Sequence, residues 1–212
     1  MLTYERVAWE QGACRVAGVD EAGRGPWAGP LVVVAVCFDP QFLRREAKAS
    51  LADLTDSKKL GARQREAFYT LLTASNAVAV APVCLGIDEI DSLNILGATH
   101  RGMRLALERL HPAPDFALID GLPVPDLPCP ARSLVRGDGL SLSIAAASVI
   151  AKVMRDRLMV ELDAQYPGYG FARHKGYGTP EHRDALQRLG VSPVHRRSFQ
   201  PVRERLDPPW FT

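Results

Sequence analysis

The sequence lacks any apolar run of the length that a membrane-spanning helix needs, about 20 residues. Its first stretch, MLTYERVAWE, contains acids and has no apolar core of a secretion signal. The 4 cysteines are far apart and form no C-x-x-C pair, which argues against a zinc ribbon or a disulfide framework. Internal repeats and low-complexity tracts are absent too. We therefore expect a cytoplasmic protein without membrane association, whose thiols are reduced.

What is present suits one compact domain with a short appendage, since the chain has 212 residues and 47% of them are hydrophobic. The net charge of +2 hides an asymmetry. Residues 165–212 carry 8 Lys and Arg against 4 Asp and Glu, and 3 of the 5 histidines. This basic end suits an acidic partner such as nucleic acid, although a solvated basic surface gives the same pattern.

Runs of β-branched residues and helical periodicities alternate along the chain. The runs predict strands at 15–20, 31–38, 77–85, 116–120 and 132–136. The periodicities predict helices at 62–75, 92–110, 143–162 and 180–190. Pro82 favours an edge position or a bulge for the third strand. The pattern indicates an α/β fold with a mixed sheet and a C-terminal helical appendage.

Four acids follow predicted strands: Asp20, Glu21, Asp120 and Asp138. Ligands of open α/β sheets bind at the carboxyl ends of strands. If these carboxylates meet, they repel one another, and a divalent cation is the natural compensation. Oxygen ligands favour Mg²⁺ or Mn²⁺ over zinc, and a pair of such ions serves in-line displacement at a phosphodiester. Each acid alone also suits an ordinary turn, so the spacing leaves both interpretations open.

Asp20 and Glu21 are adjacent, although consecutive residues of a regular strand point to opposite faces. We therefore expect the strand to end or twist at this pair. The following loop, AGRGPWAGP, offers Gly23 and Gly25 for a sharp turn and Arg24 for a phosphate. A metal and phosphate site at a strand-to-loop break is the resulting hypothesis.

Six blocks of the sequence, taken in order, resemble the signature blocks of the ribonuclease HII family. They are GVDEAGRGPWAGP (18–30), DSKKL (56–60), LNILGATHRGM (93–103), LIDG (118–121), RGDGLSLSIAAASVIAKVMRDRLM (136–159) and HKGYGTPEH (174–182). The resemblance runs from about residue 14 to residue 200. Residues 1–165 would then form a catalytic domain with a ribonuclease H-like fold, a mixed central sheet flanked by helices. Residues 166–212 would form a C-terminal helical extension that packs on this domain and contributes to substrate binding.

The resemblance implies a metal-dependent endoribonuclease that cleaves RNA in RNA–DNA hybrids. It also implies cleavage on the 5′ side of single ribonucleotides embedded in duplex DNA, leaving 3′-hydroxyl and 5′-phosphate ends. Such an enzyme uses two ions, Mg²⁺ or Mn²⁺, and would act here as a monomer on hybrids and on ribonucleotide-containing duplex DNA. Its biological role would be the removal of ribonucleotides from DNA.

The family's site residues carry over by motif. Its four metal ligands match Asp20, Glu21, Asp120 and Asp138. Its backbone and 2′-hydroxyl contacts match Gly23, Arg24 and Gly25, and its junction tyrosine matches Tyr177. A 2′-hydroxyl is the group that tells RNA from DNA, and glycine lets a backbone amide approach it closely. Phosphate contacts are also expected from basic residues nearby, for which a solvated surface role fits equally well: Lys152, Arg155, His174 and Lys175.

Two features separate this sequence from relatives. Leu140 and its neighbours stand where several family members carry a lysine, so any phosphate contact of that lysine is absent. The ribonuclease HIII group has an extra N-terminal domain and a glutamate in place of the last aspartate. Asp138 and the short segment before the first block therefore favour HII.

Two other functions remain open at this level. One is a catalytically silent nucleic-acid-binding module, although four clustered acids would only repel phosphates in a pure binder. The other is a metal-dependent exonuclease, which would need a free end. The tail at 206–212 carries Trp210 and Phe211, which we expect to dock on their own domain because aromatic rings bury much apolar area. A contact between this tail and a replication clamp is a further option.

Overall fold

The structure is a computed structural model that describes residues 1–206. Its strands are β1 Val16–Ala22, β2 Leu31–Phe38, β3 Val78–Leu85, β4 Phe116–Asp120 and β5 Ala131–Leu134. Its helices are α1 Thr3–Glu10, α2 Pro40–Glu46, α3 Ala62–Ala74, α4 Ile87–Arg109, α5 Leu142–Gln165, α6 Phe171–His174, α7 Pro180–Leu189 and α8 Gln200–Leu206. A single 3₁₀ turn, Gly137–Gly139, precedes α5. The tail that carries Trp210 and Phe211 lies outside the described residues, so the expectation that it docks stays a prediction.

The five strands form one mixed sheet in the order β3-β2-β1-β4-β5. β1 pairs antiparallel with β2, whereas β1 with β4 and β4 with β5 are parallel. The predicted α/β fold with a mixed sheet is therefore confirmed. β3 lies at an edge of this sheet and its Pro82 is exposed, as the missing backbone donor of proline requires.

The chain divides into two compact units that interleave along the sequence. The first unit comprises Met1–Ala22, Val32–Val83 and His100–Val153. The second comprises Gly23–Leu31, Cys84–Thr99 and the chain from Met154 onward. The boundary expected at residue 165 is not tested by this division and stays a prediction.

In the first unit, the centre of the sheet is buried, whereas β3 and β5 have exposed residues. Every residue of β2 is buried, which explains why its sequence is apolar throughout rather than alternating. The start of α5 packs directly on β1, where a side-chain carbon at Gly18 would lie 2.1 Å from the backbone carbon of Ser143. Only glycine permits so close an approach of two backbones. This contact fixes α5 over the strand that carries Asp20.

The second unit has its own apolar core, in which an aromatic pair is central. Tyr169 and Phe171 stack with ring centroids 5.2 Å apart, and Ala28, Met159 and Ala185 pack around them. α7 begins at a proline and ends before a glycine, as the sequence predicts. The hydroxyl of its cap residue Thr179 accepts from the backbone N–H of His182.

The strand was expected to end or twist at the adjacent acids. β1 ends at Ala22, one residue after Glu21, and its pairing with β2 continues to that residue, which lies opposite Val32. On its other side, β1 pairs with β4 only as far as Val19, so Asp20 and Glu21 lie beyond that pairing. The twist stays a prediction. Among residues 1–206, no helix is both long enough and apolar enough to cross a bilayer.

Candidate active site

Asp20 lies on β1 and is almost completely buried, with 4% of its surface exposed. It shares a strand face with Gly18, the face that α5 covers. From α5 the Ser148 hydroxyl donates to the Asp20 carboxylate, and the backbone N–H of Glu21 donates to its Oδ1 at 2.7 Å. Burial nevertheless raises the pKa of Asp20 well above its usual range, and the charges of Glu21 and then Asp120 raise it further.

Asp120 ends β4, next to β1 in the sheet. Its Oδ1 accepts from the backbone N–H of Gly137 at 2.6 Å, which ties the end of β4 to the 3₁₀ turn carrying Asp138. The pKa of Asp138 is raised by burial first and then by the charges of Asp56 and Asp120. The structure thus brings the four predicted acids into one electrostatic neighbourhood of the first unit.

Asp56 joins this neighbourhood, although the sequence reasoning assigned it no role. A protonated Asp138 donates a hydrogen bond to the Asp56 carboxylate, which raises the pKa of Asp138, whereas the charge of Lys58 lowers it. The hydroxyls of the neighbouring Ser57 and of Ser148 are hydrogen-bonded to each other at 3.0 Å. The signal was available in the block DSKKL, whose acid and lysine had been noted only as a motif.

These carboxylates suit divalent cations by their chemistry, since hard ions prefer oxygen donors. The raised pKa values of Asp20 and Asp138 report mutual repulsion and burial, which a cation would relieve. Within residues 1–206, no group of three or more His, Cys, Asp or Glu side chains is arranged to hold an ion in the conformation described.

The glycine-rich loop, residues 23–30, belongs to the second unit. The side chain of Arg196 holds it in place by hydrogen bonds. This guanidinium is fully buried and donates to the carbonyls of Gly23 at 2.6 Å, Arg24 at 3.1 Å, Gly29 at 3.0 Å and Pro30 at 3.2 Å. In a trans peptide the C=O and the following N–H point in opposite directions. The N–H groups of Arg24 and Gly25 therefore point away from the guanidinium, and both residues are exposed.

Arg155 holds the same loop, which overturns both interpretations of its role. It is 1% exposed and donates to the carbonyls of Ala28, Pro30 and Lys175, so it is neither a phosphate contact nor a solvated surface residue. Burial lowers the pKa of Arg155 to about 10. Burial and the charge of Arg155 lower the pKa of Arg196 to about 9, so both remain cations near neutrality.

Tyr177 is 45% exposed and lies between two glycines that pack against the glycine-rich loop. A side-chain carbon at Gly176 would lie 2.4 Å from the Ala28 carbonyl oxygen, and one at Gly178 would lie 2.1 Å from the Trp27 ring. A side-chain carbon at Gly25 would lie 3.6 Å from the Tyr177 ring. The structure thus brings Gly25 and Tyr177 together within the second unit.

The other basic residues have varied surroundings. Lys175 is half-buried, and its Nζ donates to the Asp156 carbonyl at 3.3 Å. Lys152, on α5, is half-buried in the first unit. For both lysines the phosphate contact stays a prediction. His174 is buried, and its Nε2 lies 2.8 Å from the Tyr169 carbonyl oxygen, so its ring is committed inside the protein.

Comparison with known proteins gives concordant results. The family model for ribonuclease HII matches residues 17–202. A ribonuclease HII from Ruegeria pomeroyi is 53% identical over 197 residues, covering 92% of this chain and 80% of its own. One from Rhodospirillum rubrum is 55% identical over 192 residues, covering 91% and 87%. The crystal structure of ribonuclease H2 from Pyrococcus horikoshii matches with a TM-score of 0.74 at 26% identity, covering 90% of this chain and 96% of its own.

The fold and the buried carboxylates therefore define a nuclease of the ribonuclease H class, whose members depend on divalent metal ions. More specifically, the chain belongs to the ribonuclease HII family. Members of this family are endoribonucleases that hydrolyse the RNA of RNA–DNA hybrids by a two-metal mechanism. Membership in an enzyme family removes the support for a silent binding module.

Proposed function

We propose that this enzyme also cleaves duplex DNA on the 5′ side of a single embedded ribonucleotide, leaving 3′-hydroxyl and 5′-phosphate ends. Its role would be to begin the removal of ribonucleotides from DNA, in the cytoplasm and as a monomer. The observation that carries the proposal is the electrostatic neighbourhood of Asp20, Glu21, Asp120 and Asp138, where burial and mutual repulsion raise the pKa of two carboxyls.

Asp20, Glu21, Asp120 and Asp138 would hold two divalent ions, Mg²⁺ or Mn²⁺. When bound, such ions supply an activated water and stabilise the leaving oxygen of a phosphodiester. The rest of the first unit keeps the carboxylates in place. Ser148 orients Asp20 by its hydroxyl, and the backbone of Gly137 orients Asp120.

Gly23, Arg24, Gly25 and Tyr177 would read the junction between RNA and DNA. Support comes from the outward N–H groups of Arg24 and Gly25. At Gly25 no side chain stands in the way of a 2′-hydroxyl that approaches the backbone. The exposed ring of Tyr177 offers apolar contact to a sugar. Lys152 and Lys175 would contact phosphates, and residues 166–212 would contribute to substrate binding.

The test is cleavage of a labelled duplex that contains one ribonucleotide, with Mg²⁺, with Mn²⁺ and with chelator. We expect a nick immediately 5′ of the ribonucleotide that disappears with chelator. A covalently closed circular duplex with one ribonucleotide should be nicked as well, which an exonuclease could not do. An intact duplex under conditions in which an RNA–DNA hybrid is cut would refute the proposal while leaving the hybrid activity standing.

The ligand assignment is tested by Asp138→Asn, which keeps the shape of the side chain and removes its charge. We expect at least about a 100-fold loss of cleavage with the melting temperature retained. Asp126→Asn is the matched control, because Asp126 is exposed and its backbone, at φ 55°, suits asparagine. If Asp138→Asn cuts as fast as the wild type, Asp138 is not a ligand.

A further inference from the structure

A buried pair of histidines lies in the second unit behind Tyr177. His182 and His195 are both fully buried, and their Nε2 atoms are 3.0 Å apart. Two imidazole nitrogens at this distance must share one proton, so that one nitrogen donates and the other accepts. The neighbours of the outer nitrogens decide which is which.

Ser192 determines which nitrogen of His195 carries the proton. The backbone N–H of Ser192 donates to Nδ1 of His195 at 3.0 Å, and the Ser192 hydroxyl lies 2.7 Å from the same nitrogen. Because an amide N–H only donates, Nδ1 of His195 must be the acceptor. A neutral His195 therefore carries its proton on Nε2 and donates toward His182.

The other end gives the same direction independently. Nδ1 of His182 lies 3.0 Å from the backbone carbonyl oxygen of Tyr177, which only accepts. A neutral His182 therefore carries its proton on Nδ1, and its Nε2 is free to accept from His195. The reverse arrangement would set a lone pair against the Tyr177 carbonyl and leave the Ser192 N–H without an acceptor.

Tyr177 is placed by this chain of bonds together with its own backbone contacts. Its N–H donates to the His174 carbonyl at 2.9 Å, and its carbonyl also accepts from the Thr179 N–H at 2.8 Å. Of these bonds, the one from His182 is made by a side chain of α7 rather than by the loop itself. The buried imidazole of His182 thus links the backbone of Tyr177 to helix α7.

We infer that Ser192, His195 and His182 form a directional hydrogen-bond relay, the histidine relay, that positions Tyr177 for the RNA–DNA junction. The inference rests on the proposed role of Tyr177. None of the three residues touches substrate, so they are positioning residues. A rigid backbone at Tyr177 matters because a misplacement of about 1 Å in a substrate-orienting group can cost about 100-fold in rate.

The relay requires neutral imidazoles, since an imidazolium has two donors and no acceptor. The titratable groups that face the pair are His174, whose ring stacks on His182 with centroids 4.5 Å apart, and Tyr169, 5.1 Å from His195. Burial lowers the pKa of His182 and of His195 to about 4. The relay is therefore intact at neutral pH.

The first test reads the tautomers directly, by long-range ¹⁵N–¹H NMR of the histidine-labelled wild-type protein at pH 7. We expect the uncommon Nδ1–H tautomer for His182 and the Nε2–H tautomer for His195. An Nε2–H tautomer or an imidazolium at His182 would overturn the relay. This measurement needs no variant and no activity, so it stands whether or not the proposed cleavage is found.

The second test asks whether the relay acts through Tyr177, by a double-mutant cycle of His182→Gln with Tyr177→Ala. With Tyr177 present, we expect His182→Gln to lower kcat/KM on an embedded ribonucleotide about tenfold. With alanine at 177, the same change should lower kcat/KM less than about twofold, although the melting temperature falls equally in both backgrounds. His111→Gln, at an exposed site, is the control.

Equal losses of kcat/KM in the two backgrounds would mean that the histidines only stabilise the fold, and would overturn the inference. His195→Phe keeps a ring in the core but removes the donor to Nε2 of His182, and it gives the same comparison if His182→Gln folds poorly. If the wild type cuts a uniform RNA–DNA hybrid but leaves the embedded ribonucleotide uncut, the proposed function fails. The tautomers measured by NMR then decide by themselves whether the relay exists.

Discussion

Replacing Gly18 by alanine should damage both stability and activity, because Gly18 is where β1 and α5 touch through their backbones. A methyl group at this position would lie 2.1 Å from the carbonyl carbon of Ser143, 2.4 Å from its oxygen and 2.3 Å from the nitrogen of Ile144. All three are backbone atoms, so no side chain can rotate to make room. Strand and helix must therefore separate by about 1 Å to reach ordinary contact.

The size of the effect follows from two opposing contributions. Overpacking of a core costs about 1–3 kcal/mol, and a contact with rigid backbone belongs at or above the upper end. Replacing glycine in a strand returns about 0.5–1 kcal/mol, because the unfolded chain loses freedom. We expect a net loss of about 2–3 kcal/mol and a fall of roughly 5–10 °C in melting temperature. Cleavage should fall at least about tenfold, because α5 also carries the Ser148 hydroxyl that orients Asp20.

Thermal unfolding and hybrid cleavage of Gly18→Ala, measured beside Gly97→Ala, check this reasoning. Gly97 lies within α4, and a methyl group there would meet only the Leu93 side chain at 3.4 Å. Gly97→Ala should be neutral or stabilising by up to about 1 kcal/mol. If Gly18→Ala melts and cleaves like the wild type, then the close approach of β1 and α5 is not a constraint and the explanation is wrong.

Three further predictions concern buried ionisable side chains. Arg196→Lys keeps the charge but cannot reach four carbonyls, so we expect a lower melting temperature and weaker cleavage of the embedded ribonucleotide, whereas the exposed neighbour Arg197→Lys should change neither. Glu5→Ala removes the buried acceptor for the Ser141 hydroxyl and the Ser143 N–H at the start of α5. It should lower the free energy of unfolding, measured by chemical denaturation, by about 1–3 kcal/mol. Glu10→Ala, at an exposed site, should lower it little. The histidine relay stays neutral in the native state with pKa values of about 4, below the unfolded value near 6.5, so the unfolded chain binds more protons between these values. The contribution of these neutral histidines to the free energy of unfolding should be complete above pH 6.5. It should be lost as the pH falls toward 4, by at most about 3 kcal/mol for each histidine. If the free energies of unfolding of the wild type and the His182→Gln variant differ by the same amount at every pH from 7 to 4.5, this prediction is contradicted.

Much of the fold could be predicted because clear runs of apolar and β-branched residues mark the strands. β2 was predicted with the bounds that the structure shows, since a run of eight apolar residues between two prolines admits few other states. Pro82 favoured an edge position or a bulge for β3, and the structure shows the edge position. The helices α1 and α2 were not predicted. They are only 8 and 7 residues long, so their periodicity is too brief to stand out.

The acids of the candidate site could be predicted from the sequence, but the residues that hold them in place could not. Asp20, Asp120 and Asp138 could be found because each stands at a strand end or next to glycine, a local signal. The end of the pairing between β1 and β4 at Val19 could not be predicted, because the pattern of one strand does not show where its neighbour ends. The supports come from distant positions, such as Ser148 for Asp20. No local pattern encodes such contacts.

The buried positions of Arg155 and Arg196 could not be predicted from the sequence either. Arg155 and Arg196 look like surface cations in sequence, since arginine is rarely buried. Both are buried with hydrogen bonds to backbone carbonyls of the glycine-rich loop, and burial lowers the pKa of each. Removing a cation from water costs several kcal/mol, which an apolar side chain would avoid. A loop selected for stability alone would not need this cost. Under the proposed function the cost is explained, because the loop would present N–H groups to a negatively charged duplex. The same guanidinium groups turn its carbonyls inward and place positive charge behind its outward-facing donors.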